Sequence, residues 1–431
     1  MALGDAVAQR SGAALKSRKG RKARPHRLRR NLIIAGVSVI ALIVIIAGGG
    51  YLYANWQFSK ITKLNVAGEV KAYAGQPFNI LVIGSDSRVG LTGLTARQTG
   101  ATTGAVSGQR SDVVKVVHVD PKAGTISTIS IPRDTMVTLL ANTALYGQYN
   151  RINVNLRKNP SLLAQTITAN FGIPINDTIV VSFAGLINAA DALGGVYLNF
   201  RYQSWDPFSD LRITHPGCQL VTGFQALALS RSRHFYYNVK GTTNFPNVND
   251  SYSTLISQGW SYDGSSDLGR IDRQNAFLRA MVDRAKGIYN PLTITSFLSK
   301  LPQGIALDKN FTLNELIGLA VKFHSLNANT IQTWTLPNYP ALSPVGSVLF
   351  VQEPQTQQLL VNIFGNNGLI APTNPPPNAS LQTPAPPHET ATTTTTTTTV
   401  PSTKKHTTTT TPTIVNPTLS VPSFDPVPCT P

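Results

Sequence analysis

Four short polar segments of this 431-residue chain set arginine and aspartate at the mouths of apolar runs. Gly84-Ser85-Asp86-Ser87-Arg88 follows FNILVI, Arg110-Ser111-Asp112 precedes VVKVVHV, and Pro132-Arg133-Asp134 follows TISTISI. The fourth segment is split. Ser230-Arg231-Ser232-Arg233 ends GFQALALS, and Arg270, Asp272, Arg273 and Gln274 open a long helical pattern. Strand-end loops of a layered α/β domain tend to converge on one crevice. A crevice holding Arg88, Arg110, Arg133, Arg231, Arg233, Arg270 and Arg273 would be self-repelling unless an anion neutralised it. Guanidinium forks match phosphate oxygens two at a time, so pyrophosphate is the natural ligand. Asp86, Asp112, Asp134 and Asp272 stand among these arginines, and paired carboxylates beside a phosphate are a usual way to hold Mg²⁺. Phosphoryl transfer needs little beyond positioning, charge neutralisation and a base. Each motif alone is an ordinary surface ion pair, worth under about 1 kcal/mol. The joint pattern carries the reading.

The elements that must position these groups are legible in the same stretch. Phe78–Ile83, Val113–Val119, Thr125–Ile131, Ile179–Phe183 and Val196–Phe200 are rich in β-branched residues or bounded by turn signals, and read as strands. Asp120 to Gly124 reads as a hairpin turn. Leu268–Tyr289 is the best helix, with Ile271, Phe277, Leu278, Met281, Val282 and Ala285 near helical spacing. The expected fold class is α/β, an αβα layered domain with a mixed central sheet over residues 77–372. A long apolar cavity would suit Phe183, Leu186, Ile187, Phe277, Leu278, Met281, Phe297 and Leu298, which are equally fit for ordinary core packing. The Gly/Thr/Ser-rich stretch Val89–Gln109 reads as a surface loop.

The flanks differ from this core. Residues 1–31 form a basic tail, supplying +9 of the formal net charge of +17. Leu32–Ala54 carries no charge for twenty-three positions, and at about 1.5 Å per residue it spans a roughly 30 Å hydrocarbon layer. Tyr51, Tyr53 and Trp56 at its end suit the headgroup zone, and the basic flank predicts a cytoplasmic N-terminus. The expectation is a single-pass cell-membrane protein with an extracytoplasmic domain, a stalk over 55–76, and no nucleic-acid partner. From Thr373 to Pro431 the Pro/Thr-rich composition predicts an extended or disordered tail. Cys218 and Cys429 match no zinc or CxxC spacing; a disulfide between them is permitted outside the membrane, but the sequence does not establish it. No GxGxxG, Walker, HExxH or GxSxG pattern occurs.

The segments NILVIGSDSR, RSDVVKVVHVDPKAGTISTISIPRDTMV, RINVN, VVSFAGLINAADALGGVYLNF, GCQLVTGFQALALSRSRHF and DLGRIDRQNAFLRAM resemble, in this order, the LytR-CpsA-Psr family over roughly residues 78–365. The resemblance implies an αβα domain that binds a polyprenyl-pyrophosphate lipid in a hydrophobic pocket. It also implies Mg²⁺-assisted transfer (Mn²⁺ as substitute) of a phosphoglycan to the 6-hydroxyl of peptidoglycan N-acetylmuramic acid. Asp86 and Asp112 resemble the metal ligands. Arg110, Arg133, Arg231 and Arg233 resemble the pyrophosphate clamp, joined by Arg270 and Gln274, and Asp134 or Asp272 would orient an arginine or accept the hydroxyl proton. The long spacer between Ser87 and Arg110 and the Asn/Ser/Tyr-rich stretch Phe235–Asp267 depart from the family pattern and are candidates for an acceptor or glycan groove. The Thr/Pro tail and basic N-terminus suggest an actinobacterial-type member, with arabinogalactan as cargo. Two other readings compete: a transcriptional attenuator, which an outside domain with no helix-turn-helix signal disfavours, and a non-catalytic tether for lipid-linked glycans.

Overall fold

The computed structural model describes residue 38, residues 48–365 apart from 73–74, 92–95, 97–98, 100–110, 157–158, 243–244, 289–290 and 302, and residues 422–430. The chain divides into two compact units, Met1–Tyr51 and Leu52–Pro431. Most of the predicted span at 32–54, the basic tail 1–31 and most of the loop Val89–Gln109 lie outside the described residues. Among the described residues no helix is long and apolar enough to cross a membrane.

The second unit is built on a mixed seven-stranded sheet. Its order is Thr62–Leu64, Ile305–Asp308, Asp177–Val181, Phe78–Ser85, Ser111–Asp120, Thr125–Ser130 and Gln332–Thr335. The period of two along the central strands separates two environments. Leu81, Ile83, Val114 and Val116 face a closed core completed by Leu163, Ile167 and Phe171 of the helix Pro160–Phe171 and by Leu359, Leu360 and Ile363 of the helix Gln355–Phe364. The intervening Val82, Val113, Lys115 and Val117 line a cavity on the opposite face, roofed by the helices Phe183–Ala192 and Asp267–Ala285. The αβα layering and mixed strand directions are thus as expected. So is the Asp120–Gly124 turn, where Asp120 Oδ1 accepts from the Lys122 and Ala123 amides and Gly124 adopts φ 66°.

The expected stalk is part of the domain. Residues 52–59 are helical, Phe58 and Ile61 are buried with Ile294, Leu298 and Phe311, and Thr62–Leu64 pairs in parallel with Ile305–Asp308 as an edge strand. Only three residues of strand and a few apolar side chains achieve this, too little to stand out as a periodic pattern.

The tail also needs correction at its end. Averaged over 373–431 the composition predicts no packing, yet the last described residues, 422–430, return to the domain. Phe424 stacks on Tyr237 at 4.7 Å and 7°, Val427–Pro428 pairs with the strand Val196–Phe200, and Cys429 is disulfide-bonded to Cys218. Asp425 Oδ1 lies 2.8 Å from Arg273 Nη1 in the protein interior. One aromatic ring, one carboxylate and one cysteine are enough to dock a short segment that the surrounding threonines conceal.

This dock should be pH-sensitive. Burial pushes the Asp425 carboxyl up to about 7, with Arg273 opposing the shift and Asp263 adding to it. The folded state therefore keeps a proton that the unfolded chain, with an ordinary value of 3.8, has lost. The corresponding stability is present at low pH and disappears as pH rises through about 7. In a Cys429→Ser variant, the protection of residues 422–430 against hydrogen exchange, after division by the intrinsic base-catalysed rate, should fall between pH 6 and 8, and Asp425→Asn should abolish that fall. The disulfide itself should contribute about 2–4 kcal/mol, read as a lower melting temperature for Cys429→Ser.

Candidate functional site

The cavity between sheet and helices has a volume of about 640 Å³. Its apolar wall comprises Val82, Val113, Val117, Ile179 and Val181 from the sheet, Phe183 and Leu186 from the helix Phe183–Ala192, and Phe277, Leu278 and Met281 from the long helix Asp267–Ala285. Phe297 and Leu301 complete it. Two expected members lie elsewhere. Ile187 packs against Gly223, where an added Cβ would collide with it, and Leu298 is fully buried in the neighbouring cluster.

Arg231, Arg233, Arg270 and Gln274 converge on this same cavity, together with Ser85, Ser182, Ser230 and His234. Helical geometry explains the long helix's share. Arg270, Gln274, Phe277, Leu278 and Met281 fall at the i, i+4, i+7, i+8, i+11 positions of one stripe. Gln274 Nε2 donates to the Ser230 carbonyl at 2.8 Å, joining this helix to the end of the helix Gly223–Arg231. The Arg231 guanidinium sits 5.1 Å over the Phe183 ring. Arg233 Nη2 and Arg270 Nη2 approach Asp267 Oδ1 at 2.5 and 3.1 Å. The Arg233 contact is one of distance rather than hydrogen-bond alignment, since Asp267 Oδ1 has no aligned donor. One carboxylate thus holds two arginines apart.

Asp267 also lines a second, polar cleft of about 630 Å³, with Arg133, Asp134, Arg151, Asn153, Ser265, Ser266 and Ser347. Asp134 lies between two arginines, 3.4 Å from Arg133 Nε and 3.6 Å from Arg151 Nε. Arg151 also donates to the Ser347 carbonyl at 3.0 and 2.9 Å. Asp267 of the cleft is thus paired with Arg233 and Arg270 of the cavity, so the two pockets adjoin across this cluster although no described residue lines both.

Several predicted site residues are placed otherwise. Arg273 belongs to the interior: it is fully buried, donates to Asp263, Asp425 and the Ser232 carbonyl, and lies 4.5 Å from the Phe235 ring. It stands about 60° off the Arg270–Gln274 stripe, which turns it from the cavity. Asp272 points further round and lines neither cavity; burial raises its pKa, with Arg273 and Lys115 opposing. Arg88 is half-buried past its strand end and lines neither cavity. Arg110 and the side chain of Asp112 lie outside the described residues. Backbone pairing of Ser85 with Ser111 nevertheless brings Asp86 and Asp112 to one end of adjacent strands. Among the described residues no group of three or more His, Cys, Asp or Glu could hold a metal.

Sequence reasoning missed Lys115, Arg151 and Asp267. Arg151 opens the RINVN segment, and Asp267 sits one turn before Arg270. Lys115 had the clearest signal, a charge within VVKVVHV on the same face as Val113 and Val117. It lines the apolar cavity, and its Nζ donates to Ser130 Oγ and Asn275 Oδ1, both at 2.6 Å.

The model of the LytR_cpsA_psr family matches residues 52–238 and 260–363. The chain belongs to the LytR_cpsA_psr family. Among its family relatives, "Probable cell wall biosynthesis protein LcpB" of Corynebacterium glutamicum is 30% identical over 200 residues, 46% of this chain and 45% of LcpB. "Polyisoprenyl-teichoic acid--peptidoglycan teichoic acid transferase TagV" of Bacillus subtilis is 26% identical over 307 residues, 69% of this chain and 68% of TagV. The match therefore spans less than half of LcpB. The family fold is shared with the LytR-Csp2A-Psr enzyme from Actinomyces oris, at a TM-score of 0.52 and 18% identity over 70% of this chain and 95% of that one. The gap at 239–259 in the family match falls inside the Asn/Ser/Tyr-rich stretch singled out above.

Burial pushes the Lys115 ammonium down to about 7, with Asp272 opposing. Its folded value lies below the ordinary 10.5, so the folded state binds fewer protons than the unfolded chain between about pH 7 and 10.5, and stability from this site rises with pH across that window. Lys115→Met should therefore gain in melting temperature relative to the native chain at pH 6 and lose part of that gain at pH 9. A difference that does not change with pH would mean that Lys115 titrates normally.

Proposed function

We propose that this chain transfers a phosphate-linked glycopolymer, arabinogalactan by the actinobacterial-type resemblance, from polyprenyl pyrophosphate to the 6-hydroxyl of peptidoglycan N-acetylmuramic acid. The observation that carries the proposal is an apolar cavity whose polar wall gathers Arg231, Arg233, Arg270 and Gln274. That combination fits an amphiphile with a long hydrocarbon chain and a multiply charged head. The name of TagV, a polyisoprenyl-teichoic acid–peptidoglycan teichoic acid transferase, supports the same reaction class.

In this reading the prenyl chain occupies the space beside Phe183, Phe277 and Met281, and the arginines clamp the pyrophosphate. The polar cleft receives the acceptor sugar. Its hydroxyl oxygen bonds to the phosphorus bearing the glycan, the bond to the bridging oxygen breaks, and prenyl phosphate leaves. Asp134, held between Arg133 and Arg151, is the base for the hydroxyl proton, since Asp272 lines neither cavity. Asp86 and Asp112, placed at adjacent strand ends, are the residues that would hold Mg²⁺ (or Mn²⁺), which neutralises phosphate charge when bound. The segment 32–54 would anchor the enzyme in the membrane with its domain outside.

The test incubates the full-length chain in detergent with a polyprenyl-pyrophosphate oligosaccharide and peptidoglycan, and seeks the phosphodiester by mass spectrometry. Arg231→Lys and Arg233→Lys should each slow transfer by roughly 10- to 150-fold, the equivalent of one charge-assisted phosphate contact of about 1.5–3 kcal/mol. Melting temperatures should change little, because the Arg233–Asp267 pair is partly solvated and worth about 1 kcal/mol or less. Asp134→Asn should abolish transfer while leaving lipid binding intact. A chain that binds the lipid yet never forms the phosphodiester is a tether, and the transferase reading is then wrong.

A further inference from the structure

The small sheet Leu211–Ile213, Gln203–Asp206, Tyr236–Asn238 and Trp260–Tyr262 carries a row of aromatic rings that the reaction above does not use. Phe208 and His234 lie 4.5 Å apart, His234 and Tyr262 stack at 6.5 Å and 26°, and Tyr262 meets Tyr236 at 5.1 Å. Phe208 is 69% exposed and Tyr262 37%. Contiguous exposed rings of this kind are a surface on which a ligand can stack.

Two further observations say what it recognises. First, the row is rigid and fixed in place. Asp206, fully buried, accepts from the Phe208 and Ser209 amides through Oδ1, and from Ser232 Oγ and the Arg233 and His234 amides through Oδ2. One carboxylate thus locks Phe208 against His234 and ties both to the arginine segment. Buried Trp205 and Trp260 share a face with Tyr236 and Tyr262 and brace the row from the side, Trp205 lying 5.5 Å from Tyr236 and 6.2 Å from Trp260. Second, the row begins at the cavity: Phe208 and His234 line it together with Arg231 and Arg233. Any group attached to a phosphate held by those arginines must leave past these rings. A prenyl chain already has the apolar wall of Phe183, Phe277 and Met281, whereas the exposed row offers flat π faces with polar edges. Sugar rings present C–H faces of partial positive charge, which suit the negative face of an aromatic ring, and hydroxyls for the Tyr and His polar atoms.

We propose that Phe208, His234 and Tyr262 form a glycan subsite that stacks the first sugars of the lipid-linked cargo as they leave the diphosphate. The inference rests on the transferase reading of the cavity but makes a separate claim, about the rings that run from its lining out to Tyr262. The test is isothermal titration of the full-length chain in detergent with geranylgeranyl diphosphate, and with the same lipid bearing a neutral pyranose disaccharide on its terminal phosphate. Tyr262→Ala, which removes the ring of the row that does not line the cavity, should weaken the sugar-bearing ligand roughly three- to tenfold, as loss of one stacking contact requires, and leave the sugar-free one within about twofold. Tyr262→Phe, which keeps the ring and loses only the hydroxyl, should bind the sugar-bearing ligand with near-native affinity. Equal losses for both ligands, or none for either, would overturn the subsite, as would a loss confined to a soluble peptidoglycan disaccharide. A native chain that binds neither lipid would remove the transferase reading and this proposal together.

Discussion

The charged end of the cavity hangs on one buried guanidinium. Arg273 has no solvent exposure, and an isolated charge there would be prohibitive. It is tolerated because Asp263 and Asp425 both reach Nη1 at 2.8 Å and the Ser232 carbonyl accepts from Nη2. Each partner comes from a different part of the chain. Ser232 separates the two arginines that line the cavity, Asp263 heads the turn into the long helix, and Asp425 belongs to the returning C-terminal segment. Gly269 shows how closely this is packed: a Cβ there would lie 2.6 Å from Asp263 Oδ2 and 3.0 Å from Arg273 Nη2. Breaking a buried pair of this kind commonly costs about 3–5 kcal/mol. Here the cost would fall on the positions of Arg231, Arg233 and Asp267 at once.

A second buried ion performs the complementary task for the next segment. Asp206 satisfies both oxygens with backbone amides and one hydroxyl, so it needs no cation to be stable in the interior. It fixes the backbone of Arg233 and His234 while Arg273 fixes the carbonyl just before them. The loop after Gly223–Arg231 is therefore held from both sides, and Arg233 and His234 reach the cavity from a fixed backbone. Separating scaffold charges from ligand-facing charges in this way explains why neighbouring arginines in sequence have opposite fates.

How much of this was legible follows from the same distinction. Strand alternation, the hairpin at Asp120–Gly124, the long helix and the αβα layering were readable because they follow from local period and turn chemistry. Arg231, Arg233, Arg270 and Gln274 were readable because each abuts an apolar element that delivers it to the cavity. Arg273 was misread because the sequence does not say which side of a helical stripe meets a buried carboxylate 152 positions away. Ile187 was misread for a similar reason, since only the packing of its helix on Gly223 decides which apolar face is used. The C-terminal return was concealed by the threonines around it, and the edge strand at Thr62–Leu64 is too short to show a period.

Charge around the cavity carries the argument one step beyond geometry. Arg231, Arg233 and Arg270 share its lining, and Asp267 is the carboxylate paired with two of them. In a partly desolvated wall such an excess is unfavourable, and an anion entering the cavity would relieve the repulsion. Lys115 sharpens the point. Held by Ser130 and Asn275 within an apolar wall, it has its ammonium weakened by burial, and Arg270 lowers it further. An arriving anion would favour its charged form by the same electrostatics that now disfavour it. Binding at this cavity should therefore take up a proton, and the cationic character of the wall would grow as the ligand settles.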